Sequence, residues 1–123
     1  MKKYKEIFKL KRMLEKECIP FDWIECFGYS EEKIKELKRI APDISEHYQI
    51  CYPCKDDRKR WISVIEGFGT YGGECDKLEI MGGKTPWEEF NIESPVIGYL
   101  TANNVFKRIK NHYDEVKKRK ECE

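Results

Sequence analysis

Apolar residues recur at helical spacing near both ends of this chain, with lysines and glutamates on the opposite faces. The N-terminal stripe consists of Tyr4, Ile7, Phe8, Leu10, Leu14 and Cys18. Pro20 predicts that this helix ends at Cys18 or Ile19, because a residue before proline disfavours helical geometry. We expect the C-terminal helix to begin after an N-cap at Thr101. Its stripe consists of Val105, Ile109, His112, Tyr113 and Val116.

Between these helices the pattern changes to the period of two that is typical of strands. Five strands are predicted, over residues 21–27, 48–52, 61–66, 78–81 and 96–100. The second is expected to be half-buried, with Tyr48, Ile50 and Tyr52 on its apolar side. The third is the strongest prediction, because β-branched residues predominate in it.

Two shorter helices interrupt the strands. Ser30 is a suitable N-cap, and the glutamates that follow it favour the positive pole of a helix dipole. The predicted buried stripe of this helix is Ile34, Leu37 and Ala41, and Pro42 ends it. Residues 85–88 (Thr-Pro-Trp-Glu) match a capping box with proline at the first helical position, which predicts a short helix.

These elements follow the order α-β-α-β-β-β-α-β-α. Short loops between sequential strands require antiparallel pairing, so we predict a single α+β domain over residues 1–123. Its antiparallel sheet has four to five strands, with the N- and C-terminal helices and their neighbours packed on one face. The sheet residues expected to face the helices are Ile50, Val64, Leu78 and Ile97. Leu14 and Ile109 are expected to pack against them.

The composition fits one globular domain and identifies no partner. The chain has 123 residues, of which 40% are hydrophobic and 38% charged, and 24 basic residues against 23 acidic ones leave a net charge of +1. Such a balance supplies no overall field that would steer a polyanion to the protein. Charged residues interrupt the N-terminal segment, so no signal peptide is expected, and no run approaches the roughly 20 apolar residues of a membrane span. We therefore expect a cytosolic protein.

The cysteines are predicted to carry thiols, because the cytosol is reducing. They are Cys18, Cys26, Cys51, Cys54, Cys75 and Cys122. Residues 51–54 (Cys-Tyr-Pro-Cys) match a redox motif, but such motifs lie at helix N-termini, where the dipole lowers the thiol pKa, and this one ends a strand. The remaining spacings offer no second ligand pair for zinc. No metal and no cofactor are expected.

The glycine-rich segment 67–73 (Gly-Phe-Gly-Thr-Tyr-Gly-Gly) is the main candidate site. Its candidate binding residues are Gly67, Phe68, Gly69, Tyr71, Gly72 and Gly73. The G-x-G-x-x-G pattern lets backbone amides approach a phosphate, but the dinucleotide-binding version opens a helix, and here a strand follows. A structural hairpin or bulge is the favoured interpretation. A binding loop is the alternative, because the two aromatic rings suit recognition.

Two basic clusters and two histidines are weaker candidates. Arginine next to an aromatic ring can hold a phosphate and a base, which makes Arg58, Arg60 and Trp61 further candidate binding residues. Aspartates flank that cluster and the second one, residues 117–120, ends a helix, so nucleic acid is not the favoured partner. His112 is expected in the core. Nothing near His47 completes a catalytic set, and no catalytic residue is predicted.

Six segments carry a resemblance that covers most of the chain: residues 5–16, 18–23, 47–53, 63–73, 78–83 and 96–112. Together they resemble a family of small uncharacterised proteins from prophages of Firmicutes. The most specific segments are SVIEGFGTYGG (63–73) and GYLTANNVFKRI (98–109). The turn at 82–86 departs from the family, which has an aliphatic pair where this chain has Gly83 and Lys84. The resemblance implies no activity and suggests a phage accessory gene.

We therefore expect a small non-enzymatic phage accessory protein that binds a host protein or a signalling nucleotide, as a protein that counters host defence would. The first alternative is a nucleotide-handling enzyme built on the segment 67–73. The second is a nucleic-acid-binding protein that uses the basic clusters. The oligomeric state is left open, with a homodimer included.

Overall fold

Five strands form one antiparallel sheet, in which the strand order follows the chain order. The computed structural model describes residues 4–121, without the side chains of residues 44, 45 and 121. The strands are β1 (Asp22–Glu25), β2 (His47–Tyr52), β3 (Ile62–Gly67), β4 (Leu78–Gly82) and β5 (Val96–Leu100). The helices are α1 (Glu6–Lys16), α2 (Glu31–Ile40), α3 (Pro86–Asn91) and α4 (Ala102–Glu121). The predicted α+β fold with helices at both ends is confirmed.

The core lies between one face of the sheet and the helices α1 and α4. Five of the six residues predicted to meet there are fully buried: Leu14, Ile50, Val64, Leu78 and Ile109. Ile97 is partly buried against the same cluster. Val64 stands opposite Ile50 on β2 and Ile80 on β4, so these side chains share one face of the sheet. Burial of this face holds the sheet and the two helices together.

Helix α1 ends at Lys16, whereas the sequence predicted an end at Cys18 or Ile19. Cys18 has a left-handed backbone (φ 56°), and it donates its amide hydrogen to the Glu15 carbonyl. The Ile19 amide donates to the Leu14 carbonyl, which completes a Schellman motif. The placement of Cys18 on the buried stripe is therefore wrong, and its side chain is exposed.

The first strand is shorter than predicted. It stops at Glu25, because Cys26, Phe27 and Gly28 have φ values of 51°, 59° and 74°, which a strand cannot include. These residues form a tight turn, in which the Tyr29 amide donates to the Cys26 carbonyl at 3.0 Å. In β2 the alternation is also incomplete, since Cys51 is fully buried on the face opposite Ile50. Burial raises the pKa of the Cys51 thiol.

The predicted buried stripe of α2 is wrong. Ser30 caps this helix as expected, accepting a hydrogen bond from the Lys33 amide at 3.3 Å. Ile34 and Leu37 are only half-buried, however, and Ala41 lies beyond the helix end. Helical spacing predicted a buried face here, but no residue of this helix belongs to the buried cluster that the sheet forms with α1 and α4. Among residues 4–121, no helix has the length and apolar character that crossing a membrane requires.

Candidate functional site

The nine candidate binding residues lie at opposite ends of the sheet. The glycine-rich segment connects the end of β3 to the start of β4. Trp61 and the two arginines precede β3 and lie near the end of β4, because Ile62 pairs with Gly82. The structure therefore does not bring the glycine loop and the basic cluster into one site.

Three of the four loop glycines are required by contacts within the chain. A Cβ at Gly67 would collide with the carbonyl oxygen of Glu46, and one at Gly73 would collide with the carbonyl oxygen of Gly67. Gly72 has a φ of 102°, and a Cβ there would lie 2.9 Å from Lys77 Cβ. These positions need the absence of a side chain to fold, which supports the structural interpretation of the pattern.

Most of the loop amides already have acceptors. The Phe68 amide donates to the Glu46 carbonyl at 3.1 Å, and the Tyr71 amide donates to Glu79 Oε1 at 2.8 Å. The amides of Gly67, Thr70 and Gly73 donate to acceptors within the loop itself. A phosphate-binding loop presents several amides to its anion. With five of its seven amides occupied, this loop is poorly suited to that chemistry.

The loop instead presents aromatic rings to solvent. Phe68 is 50% exposed and Tyr71 is 60% exposed, as expected for a recognition loop. Tyr99 of β5 is 64% exposed and donates its amide hydrogen to the Tyr71 carbonyl at 3.3 Å. We call Phe68, Tyr71 and Tyr99 the aromatic rim.

The backbone beneath the rim departs from a regular strand. Tyr99 has a φ of 61°, a left-handed conformation that side chains other than glycine rarely adopt. The pairing of β4 with β5 shifts register between Leu78 and Ile80, opposite this point. Gly98 allows the close approach, because a Cβ there would collide with the Tyr71 side chain. Sequence reasoning missed Tyr99, since the pattern of residues 96–100 is that of an ordinary strand.

Two carboxyl groups beside the loop bind the N-terminus of α1. Glu66 is fully buried and its Oε1 accepts the Ile7 amide hydrogen at 3.0 Å. Asp76 Oδ1 accepts the amides of Lys5 and Glu6 at 2.7 and 3.0 Å. Neither role is visible in the sequence, because about 60 to 70 residues separate the partners.

The environment separates the pKa values of these two carboxyl groups. Burial, followed by the neighbouring Asp76 carboxylate, raises the pKa of Glu66 to about 9. Glu66 Oε2 is buried without a hydrogen-bond partner among the described residues. Burial by itself would raise the pKa of Asp76, but the neighbouring Glu66 carboxyl group and the hydrogen bonds from the Lys5 and Glu6 amides outweigh it and lower that pKa. Glu66 is therefore neutral and Asp76 ionised near neutral pH.

At the other end of the sheet, Trp61 is part of an ordered aromatic group. Its ring stacks on His112 of α4 with centroids 4.1 Å apart, and His112 Nδ1 is 2.9 Å from the Tyr52 hydroxyl. His112 is half-buried beside a groove of about 430 Å³, so its assignment to the core is wrong. Arg60 pairs with Asp57 at 3.0 Å, while Arg58 is exposed.

The remaining candidate groups do not assemble a reactive centre within the described residues. His47 is 7% exposed and stacks on Phe27, and burial lowers its pKa. Residues 51–54 run from β2 into a turn, as predicted, and not into a helix N-terminus. Over residues 4–121, no three His, Cys, Asp or Glu side chains are arranged to hold a metal ion. Cys122 lies outside the described residues.

Comparison with known proteins found no matching family model, no matching curated protein and no matching solved structure. The resemblance to prophage proteins therefore stays a prediction, and the case for a function rests on the geometry of this chain.

Proposed function

We propose that this protein is a non-enzymatic binding protein whose aromatic rim contacts a partner protein. The observation that carries the proposal is Tyr99, which combines a left-handed backbone with a ring that is 64% exposed. A non-glycine residue in that conformation costs stability, and such residues concentrate at functional sites. An exposed ring gains little from folding, so a contact outside the chain accounts for it best.

The backbone of the rim is also anchored by contacts within the chain. Tyr71 is anchored through its backbone to Glu79 and to Tyr99, and the surrounding glycines pack against the chain. Aromatic side chains on a rigid backbone lose little conformational entropy on binding, which is why they predominate at the centres of interfaces. The rim carries these rings and no nucleophile paired with a base, which fits binding better than catalysis.

We retain the phage accessory role as part of this proposal, with a host protein as the partner. The occupied amides of residues 67–73 argue against a nucleotide at this loop, and therefore against the nucleotide-handling enzyme built on it. The pairing of Arg60 with Asp57 neutralises one of the three cations of the first basic cluster, and Asp56 lies next to it in the sequence. Protein recognition is the alternative that the rim supports best.

The test is capture of partners from host lysate by wild type and by the triple variant Phe68→Ala, Tyr71→Ala, Tyr99→Ala. The matched control is Trp87→Ala with Phe90→Ala, since these rings of α3 are 67% and 92% exposed. We expect the rim variant to lose a specific protein that the control retains, with circular dichroism unchanged in both. Equal retention by both variants, or equal loss, would contradict the rim as the binding surface.

A further inference from the structure

A groove between α4 and the turn that follows β4 lies at the end of the sheet opposite the rim. Its volume is about 430 Å³, within the range of about 300–1,000 Å³ typical of small-molecule pockets. Trp61 forms an aromatic wall, and Lys84, Asn104, Lys107, Arg108 and His112 supply polar groups. Neither the glycine pattern nor the proposed protein contact uses this groove.

The donors in the groove are fixed by an ion pair behind it. Arg108 binds both carboxylate oxygens of Glu88, at 2.5 and 2.8 Å, and this lowers the pKa of Glu88 to about 2. Arg108 Nε also donates to Asn104 Oδ1 at 2.8 Å. This bond orients the Asn104 amide and leaves its N–H groups for a ligand.

The charge of the groove favours a ligand with one anionic group. Lys84 donates to the carbonyls of Ile92 and Ser94, and no carboxylate of the described residues pairs with it or with Lys107. Glu115 lies along the same groove and Glu88 neutralises Arg108. Three cations against these two carboxylates leave an excess of one positive charge. A ligand with several phosphate groups would be less well matched than one with a single phosphate group.

The Trp61 ring that forms the aromatic wall is positioned by His112 and Tyr52. Burial is the main cause that raises the pKa of Tyr52 to about 12, so its hydroxyl keeps its hydrogen and can donate it to His112 Nδ1. Burial also lowers the pKa of His112, which favours the neutral ring. The hydrogen bond with Tyr52 therefore positions His112, and the Trp61 ring stacks on His112. Heteroaromatic bases bind well to aromatic rings positioned in this way.

We propose that this groove binds a nucleoside monophosphate, with the base against Trp61 and the phosphate on Lys107 and Asn104. The size of the groove, its excess of positive charge, its N–H donors and its aromatic wall all fit this class of ligand. The site is independent of the rim, because the two lie at opposite ends of the sheet.

The test is titration of the ¹⁵N-labelled protein with AMP, GMP, CMP and UMP, followed by NMR and calorimetry. Adenosine and inorganic phosphate serve as probes of each half of the ligand. We expect at least one monophosphate to saturate, with shifts at the Trp61 indole and along Asn104–Arg108. Each half alone should bind about tenfold more weakly or worse, which corresponds to about 1.4 kcal/mol. No saturable shifts with any of the four at low millimolar concentration would overturn the site.

Pairs of matched variants distinguish binding in the groove from nonspecific electrostatic attraction of the phosphate to the protein. Lys107→Ala should weaken binding about tenfold, the loss expected for one charge-assisted hydrogen bond. Lys118→Ala removes the same charge from an exposed position further along α4 and should leave affinity unchanged. Asn104→Ala and its exposed neighbour Asn103→Ala form a second pair. Equal effects within both pairs would contradict the proposal.

Discussion

The backbone amide of Ile7 donates a 3.0 Å hydrogen bond to Glu66 Oε1, although 59 positions separate the two residues. Asp76 binds the two preceding amides in the same way, and Glu6 Oε1 in turn accepts the Ala102 amide of α4 at 2.9 Å. Carboxyl groups from elsewhere in the chain therefore cap both terminal helices. This arrangement orients α1 and α4 on the sheet, because unpaired amides at a helix start are costly when buried.

The stability of the protein should depend on pH through Glu66. Its pKa is raised from 4.5 to about 9, so the folded state keeps a proton that the unfolded chain releases between these values. Stability should therefore fall as pH rises from about 4.5 to about 9. Asp76, whose pKa is lowered, titrates below this window.

Glu66→Gln should remove most of that slope and make the protein more stable than wild type near pH 9. Glutamine keeps a carbonyl for the Ile7 amide and cannot ionise. Urea denaturation at several pH values measures the effect, with the exposed Glu74→Gln as the control. A variant with the wild-type slope would show that Glu66 is ionised in the fold.

Leu14→Ala should lower the free energy of unfolding by about 2–5 kcal/mol, because the Leu14 side chain of α1 is fully buried in the core. Ile40→Ala is the matched control at a site that is 80% exposed, where a change below about 0.5 kcal/mol is expected. Chemical denaturation of both variants provides the comparison. A loss at Leu14 no larger than that at Ile40 would place α1 outside the core.

Tyr99→Gly should be more stable than Tyr99→Ala, by about 1 kcal/mol. Both variants remove the ring, but only glycine adopts a φ of 61° without strain. In an ordinary strand the order is reversed, since glycine there is less stable than alanine by roughly 0.5–1 kcal/mol. Denaturation midpoints of the two variants decide between these orders. Greater stability of the alanine variant would show that Tyr99 has regular strand geometry.

The thiols should differ in reactivity according to exposure. Cys18 and Cys75 are exposed and should be alkylated first, whereas Cys51 is fully buried and burial raises its pKa. Peptide mapping of the native protein after timed alkylation measures the extent of reaction at each cysteine. All six cysteines should react in the denatured, freshly purified protein, and elemental analysis should find no stoichiometric zinc. One zinc ion per chain would contradict this, with Cys51 and Cys54 as the first ligands to test.

Nucleic acid should not bind at physiological ionic strength. Arg60 is paired with Asp57, and acidic residues are interleaved with the other cations. A gel shift at submicromolar protein, weakening log-linearly with salt, would reveal phosphate contacts and refute this expectation. Lys118→Ala and Arg58→Ala would then show which basic cluster is responsible.

The local pattern of the sequence determined most of the architecture. The capping box at Thr85 and Glu88 is present, with hydrogen bonds of 3.2 and 2.8 Å, and Thr101 caps α4 by accepting the Asn104 amide. Strand β5 has its predicted bounds. These features depend on residues a few positions apart, so their spacing along the chain is sufficient to specify them.

Tertiary structure decided the features that bear on function. Helical spacing predicted a buried face for α2, but burial requires a neighbouring surface, and spacing says nothing about where that surface lies. The loop glycines matched a phosphate-binding pattern, yet backbone from β2 and β5 fills the space beside them. Glu66, Asp76 and Tyr99 acquired their roles from partners distant in sequence or from a shift in strand register. Such contacts depend on which surfaces the folded chain brings together, and that information is absent from any local stretch of sequence.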